Sequence, residues 1–200
     1  MFTQKMLTDA LRYMRVPVDA RDNDELRGTL QTVQDAFESL EKFVTPRCVW
    51  GKFDIAHFDG GFKIAGSDFY SRDLSRLTAR SNQCFLIAAT LGSEVDRQII
   101  LAQKCDMLYG LALDACASVK IDSFCDAFVK TNIAPVLNKH EFLTSRFSPG
   151  YGDAPLKLNE DIIVILNAHK NIGLSITNSY MMTPVKSITA VIGIFERLDI

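Results

Sequence analysis

The sequence contains an uninterrupted apolar run, Cys84-Phe85-Leu86-Ile87-Ala88-Ala89, closed shortly afterwards by Gly92. A strand with one buried face alternates apolar and polar residues, whereas a run without polar residues is typical of a strand buried on both faces. The chain has 200 residues, 48% of them hydrophobic and 23% charged, which is enough to build the core that such a strand needs. We therefore predict a folded domain built around this strand.

Helical periodicity precedes the strand. Apolar residues recur at steps of three and four over residues 24–44. Asp22, Asn23 or Asp24 can cap this helix and Pro46 stops it, and a shorter helix is predicted from Thr3 to Arg15. Residues 1–45 are therefore expected to be an N-terminal helical segment.

Short β-type runs follow this segment. Residues 47–64 predict a hairpin around the turn Asp59-Gly60-Gly61, and Ser67 is expected to cap a helix that continues through Leu77. Further short strands are predicted at Phe142-Leu143, 174–177 and 188–195.

Two longer helical patterns lie beyond the apolar run. Residues 93 to about 139 are helical in pattern, with breaks near Asp106 and before Pro135, and the stretch from Leu108 to Ala117 is apolar enough to lie in the core. A further helix is predicted over 158–170. This order of elements favours an α+β fold, with mixed α/β as the alternative. We expect one compact domain over 1–200, in which long helices pack on a largely antiparallel, twisted sheet. Residues 46–200 would form the core that carries the ligand site.

Composition excludes several function classes. The formal net charge is −2 and no run of Lys or Arg exceeds two residues, which argues against nucleic acid as a partner. No apolar run approaches the ~20 residues of a membrane span, and charged residues interrupt the N-terminal segment, so we expect a cytoplasmic protein with no membrane contact. The five cysteines form no CxxC pair and are expected to be reduced, buried thiols. The three histidines lack metal-ligand spacing, and neither a glycine-rich phosphate loop nor GxSxG occurs, so no catalytic residue and no metal ligand is predicted.

The turn that follows Arg146 is a candidate binding site. Arg146-Phe147-Ser148-Pro149-Gly150-Tyr151 joins a fixed fork of guanidinium donors to a Pro-Gly bend that exposes backbone groups. Such a segment suits a ligand that has a carboxylate and a planar ring. Taken alone, however, these residues favour an ordinary surface loop with an exposed Arg and a half-buried Tyr.

An acidic pair on the long helix is a second candidate. Asp122 and Asp126 are four residues apart and therefore project from one helix face. They either form a solvated face or line a pocket for a cationic ligand, such as a sulfonium with its ammonium group.

Taken together, these segments resemble the activation, or reactivation, domain of cobalamin-dependent methionine synthase in a stand-alone form. Residues 146–153, RFSPGYGD, are similar to the family's RxxPGY segment, and residues 179–187, SYMMTPVKS, are similar to its S-x-x-M-x-P-x-x-S stretch. Residues 89–96 and Leu113-Asp114-Ala115, with Asp122 and Asp126, resemble the stand-alone members.

The resemblance implies roles for particular residues. Arg146 would bind the methionine carboxylate of S-adenosylmethionine, the backbone near Ser148 would face the adenine, and Tyr151 would lie at the ligand or corrinoid face. Gly150 would also belong to the binding site. Asp126, with Asp122 one turn earlier, would be the acidic residues near the ligand. At the acidic position that the family has just ahead of the motif arginine, this chain has His140, with Glu141 beside it as the alternative acid.

The resemblance also implies the reaction. A corrinoid in the cob(II) state takes an electron from an external donor such as a flavodoxin or ferredoxin and is then methylated by S-adenosylmethionine. The chain lacks a corrinoid-binding DxHxxG segment and any flavin or iron–sulfur motif, so cobalamin would be supplied by a partner, a corrinoid-binding methyltransferase protein. The chain would then be an accessory subunit in methionine biosynthesis. The alternative is a scaffolding subunit of such a complex that no longer uses S-adenosylmethionine, and an independent methyltransferase is a weaker third hypothesis because no general base can be named.

Overall fold

The structure, a computed structural model, describes residues 2–16 and 24–196. Its helices are α1 Gln4–Tyr13, α2 Asp24–Leu40, α3 Arg72–Thr78, α4 Ser93–Cys105, α5 Met107–Phe128, α6 Leu158–Ile165 and α7 Ala168–Ile172. Its strands are β1 Arg47–Phe58, β2 Gly61–Ile64, β3 Ser67–Tyr70, β4 Gln83–Thr90, β5 Glu141–Leu143, β6 Ser175–Ile176, β7 Met182–Thr183 and β8 Ser187–Glu196.

Six strands form the main sheet in the order β3-β2-β1-β4-β8-β5, and every pair in it is antiparallel. The strands β6 and β7 form a separate two-stranded ribbon. The predicted α+β class and the antiparallel sheet are therefore confirmed.

The apolar run lies in β4, at the centre of this sheet, and helices cover both of its faces. Phe85, Ile87 and Ala89 pack into a cluster with residues of α1, α2, α4 and α5. The alternate residues, including Leu86 and Ala88, pack into a second cluster with α3, α6 and α7. Because side chains alternate along a strand, burial on both faces requires an apolar residue at every position, as the run predicted.

The long helix α5 crosses one face of the sheet. Asp106 caps it by accepting a hydrogen bond from the backbone N–H of Tyr109 at 3.1 Å, which accounts for the predicted break there. The helix ends in a π-helical turn over 129–133 and a short 3₁₀ turn containing Pro135. Most residues from Ala112 to Ala117 are buried, as the apolar pattern predicted. At the start of the helix, however, Met107, Leu108 and Leu111 are exposed.

Three local predictions are wrong. Ser67 does not cap a helix: residues 67–70 are strand β3, because the turn at Gly66, with φ +90°, returns the chain along β2 and stacks Phe69 on Phe62 in the core. The helix begins at Arg72 instead and is capped by Ser71.

The helix predicted over 158–170 is two helices, since Asn167 adopts a left-handed conformation with φ +48° between α6 and α7. The helix predicted over 24–44 ends at Leu40 and is followed by turns, and its proposed caps Asp22 and Asn23 lie outside the described residues.

Candidate functional site

The loop after β5 is attached to the edge of β8. Phe147 and Val191 exchange two backbone hydrogen bonds of 3.0 and 2.9 Å, and the Phe147 ring packs into the cluster that contains α6 and α7. Neighbouring side chains in an extended segment point to opposite sides, so Arg146 projects toward α5 on the other face of the sheet. The pairing of one residue therefore sets the direction of the arginine.

The Pro-Gly bend is held on its far side by α3. The N–H of Gly150, whose φ is +93°, donates to the carbonyl of Ala154 at 2.8 Å. The Asp153 carboxylate accepts hydrogen bonds from the Ser71 hydroxyl at 2.5 Å and from the N–H of Arg72 at 2.8 Å. The Ser71 hydroxyl, with the backbone N–H of Arg72, lowers the pKa of Asp153. The loop is thus fixed at both ends.

Arg146 lies between the two acidic residues of α5. Its Nε and Nη2 donate to Oδ1 of Asp126 at 3.1 and 2.9 Å, and Nη2 also donates to Oδ1 of Asp122 at 3.3 Å. Only 17% of the Arg146 side chain is exposed, against 46% and 70% for the two carboxylates. Burial opposes the charge, but nearby negative groups, the two aspartates among them, raise the pKa of Arg146. These contacts leave Nη1 unused, so the guanidinium keeps donors for a ligand.

A second cation approaches α5 from the segment between β7 and β8. Lys186 Nζ lies 2.9 Å from both the Ser118 hydroxyl and Oδ1 of Asp114, and its side chain is only 10% exposed. The Asp96 carboxylate accepts hydrogen bonds from the backbone N–H groups of Val185 and Lys186, which fixes this segment against α4.

These elements enclose a cavity of about 530 Å³. Four of the six predicted site residues line it: Arg146, Ser148, Tyr151 and Asp122. Asp126 instead lines a neighbouring cavity of about 610 Å³ between α1 and α5, together with Asp122 and Arg146. Gly150 lines neither cavity and contributes the shape of the bend.

Tyr13 of α1 lines both cavities. Its hydroxyl lies 3.4 Å from Oδ2 of Asp122, which is long for a hydrogen bond between oxygens. Burial, followed by the Asp122 charge, raises the pKa of Tyr13. The N-terminal helix is thus part of the site wall.

Sequence reasoning missed several lining residues, namely Tyr13, Asn159, Lys186 and Thr189. Lys186 belongs to the segment 179–187 that resembles the family, and its place two residues after Pro184 is a signal that could have marked it. The other three carry no local signal, because each looks like an ordinary residue of an amphipathic helix or strand.

Neither residue at the family's further acidic position faces the cavity. Glu141 accepts a hydrogen bond from the N–H of Asn138 at 2.8 Å and pairs with Lys52 at 3.6 Å, and it lines a third, separate cavity. His140 lines none of these cavities. The acidic groups beside Arg146 are therefore Asp122 and Asp126.

The remaining candidate groups stand apart from the cavity. Cys84, Cys116 and Cys125 are buried and Cys48 is half-buried, as expected, but Cys105 is exposed.

Over residues 2–16 and 24–196, no three His, Cys, Asp or Glu side chains are grouped so as to hold a metal ion. Within the same residues, none of the helices has the length and apolar character needed to cross a membrane.

Comparison with a protein-family model and comparison with solved structures agree. Residues 130–196 match the family model described as the vitamin B12 dependent methionine synthase activation domain. The fold matches a solved structure described as the MetH reactivation domain bound to AdoHcy, with a TM-score of 0.70 at 16% sequence identity, covering 97% of this chain and 77% of that one. No curated protein sequence matches the chain significantly. Residues 130–196 thus carry the sequence features of the vitamin B12-dependent methionine synthase activation domain, and the chain has the fold of that domain.

Proposed function

We propose that this chain binds S-adenosylmethionine in the 530 Å³ cavity and supports reactivation of a corrinoid held by a separate methyltransferase protein. The observation that carries the proposal is the position of Arg146, the arginine of the motif inside the matched segment, on the wall of this cavity. The similar solved structure is described as bound to AdoHcy, the molecule that S-adenosylmethionine becomes when it gives up its methyl group.

The residues present fit such a ligand. The cavity volume falls in the range of about 300–1,000 Å³ that small-molecule sites occupy. The free donor of Arg146 can bind a carboxylate, and Asp122, on the wall of the same cavity, can accept a hydrogen bond from an ammonium group. Asp126, which lines the neighbouring cavity, holds Arg146 in place from the other side. The backbone at Ser148, held by the bend at Gly150, offers hydrogen bonds to the adenine.

Tyr151 lies at the rim of the cavity with 68% of its surface exposed, where it can contact both the ligand and a docked partner. Bound S-adenosylmethionine would supply a methyl group to cobalt that an external donor, such as a flavodoxin or ferredoxin, has reduced by one electron. The role of this chain is to orient the donor, since Arg146 and the clamped loop fix one end of the ligand before the partner arrives.

Calorimetric titration with S-adenosylmethionine tests the binding step. Arg146→Ala should weaken binding by roughly tenfold or more, because a charge-assisted hydrogen bond contributes about 1.5–3 kcal/mol. Arg97→Ala is the matched control: Arg97 is an exposed arginine that pairs with Glu94 on α4 and should leave affinity unchanged. Absence of binding by the unaltered chain would refute the proposal and favour the scaffolding alternative.

A second experiment tests reactivation. The chain is mixed with a corrinoid protein loaded with cob(II)alamin, a reductant and S-adenosylmethionine labelled in its methyl group. Label should accumulate on the corrinoid, and only when this chain is present. Donor binding without any transfer of label would contradict the reactivation role.

A further inference from the structure

Two buried polar side chains meet on the cavity wall away from α5. Asn159, in the first turn of α6, is 2% exposed, and Thr189 of β8 is 1% exposed. The Thr189 hydroxyl donates to Oδ1 of Asn159 at 2.6 Å, and both residues line the 530 Å³ cavity. A separation of 2.6 Å is short for an N–H···O bond and ordinary for an O–H···O bond, which agrees with the amide oxygen facing Thr189.

The Asn159 amide is only half used. Its nitrogen Nδ2 makes no hydrogen bond to any other residue in the described part of the chain, although an amide carries two N–H donors. The neighbouring side chains Leu158 and Ile162 are buried and apolar. A buried amide in such surroundings is costly unless its donors find acceptors, and because Asn159 lines the cavity, a group bound there can supply one.

The charged groups of the cavity lie elsewhere. Arg146 and Lys186 are both bonded to side chains of α5, on one face of the sheet. Asn159 belongs to α6, which packs on the opposite face. The α5 side of the cavity therefore suits the charged end of a ligand, and the α6 side suits a neutral group with hydrogen-bonding edges.

We infer that Asn159 recognises the adenine edge of the ligand and makes the site selective for a 6-amino purine, an inference that rests on the proposed function. The Nδ2 donors can bond a ring nitrogen, while the second lone pair of Oδ1 accepts from the exocyclic amino group. A 6-oxo purine places an oxygen where this amino group would be, opposite Oδ1. Thr189 acts as a positioning residue, because its hydroxyl keeps the amide in the orientation that this pairing needs.

The test compares S-adenosylhomocysteine with its inosine counterpart, S-inosylhomocysteine, by calorimetry. The unaltered chain should bind the adenosine compound at least roughly tenfold more tightly, the range expected for loss of a bidentate amide pair. Asn159→Leu should weaken adenosine binding to the level of the inosine compound and leave the inosine compound almost unaffected. A merely structural role for Asn159 would weaken both compounds equally.

A double variant guards against misfolding. Asn159→Leu with Thr189→Val replaces both partners by apolar groups of similar shape and leaves no unsatisfied hydroxyl, and it should show the same loss of selectivity. Equal affinity of the unaltered chain for the two compounds, or unchanged selectivity in either variant, would overturn the inference while leaving the proposed function standing. A chain that binds neither compound, with or without the changes, would overturn both.

Discussion

The bend at Gly150 can be tested by a single methyl group. Gly150 has φ +93°, a region that side-chain-bearing residues avoid at a cost of about 1–2 kcal/mol. A Cβ there would lie 2.8 Å from Cδ2 of Leu156, but Leu156 is 42% exposed and can rotate away. Against these costs, alanine restricts the unfolded chain and recovers about 0.4–1 kcal/mol. Gly150→Ala should therefore lower the free energy of unfolding by about 1 kcal/mol.

Gly28→Ala is the matched control. Gly28 lies inside α2, and a Cβ added there meets nothing within 4 Å. Alanine is favoured over glycine in a helix by about 0.5–1 kcal/mol, so this change should stabilise the protein. The same chemical change is thus expected to act with opposite sign at the two positions.

Urea denaturation and thermal unfolding measure both variants. A difference of 1 kcal/mol corresponds to roughly 2–4 °C in Tm for a chain of this size. Gly150→Ala should also bind S-adenosylmethionine more weakly, because the bend carries the backbone at Ser148. Equal stability of the two variants would refute the argument that the bend requires a glycine.

Two further predictions concern ionisable groups. The pKa of Asp153 is lower in the folded chain than its ordinary value of 3.8. The ionised carboxylate therefore stabilises the fold fully at pH values above 3.8, and this stabilisation is lost as the pH falls through the pKa of the folded chain. Asp153→Asn should therefore reduce the dependence of the free energy of unfolding on pH at acid pH, measured by urea denaturation. An unchanged dependence would contradict a stabilising hydrogen bond between the Asp153 carboxylate and Ser71. Cys105 is exposed, whereas burial raises the pKa of the Cys84 thiol to about 12. A thiol reagent should modify Cys105 alone in the folded protein, and rapid modification of Cys105→Ser would disprove this.

Sequence patterns predicted correctly those elements whose burial or ends depend on residues within the same segment. The apolar run of β4 predicted burial on both faces because alternation along a strand is a local property. The breaks near Asp106 and before Pro135 were equally visible, since helix ends and proline geometry act within one turn.

Where a sequence pattern predicted the wrong secondary structure, the neighbouring strand in the sheet determined the actual one. Residues 67–70 have a helix-like start at Ser67, yet they form β3 because Phe69 finds Phe62 on the adjacent strand. Strand formation depends on the neighbour that supplies hydrogen bonds and packing, and a single segment does not reveal that neighbour.

The residues of the candidate site also fall into those that a local pattern predicted and those that only the folded chain brings together. The sequence predicted Arg146, the bend at Gly150 and the acidic pair on α5, because a short motif and a helical spacing contain them. Only the tertiary structure brought Asn159 to Thr189, 30 residues away along the chain, and placed Tyr13 of the first helix beside Asp122. The physical reason is that a cavity is formed by elements distant in sequence, so the residues on its wall are selected by packing between layers and not by any pattern within one segment.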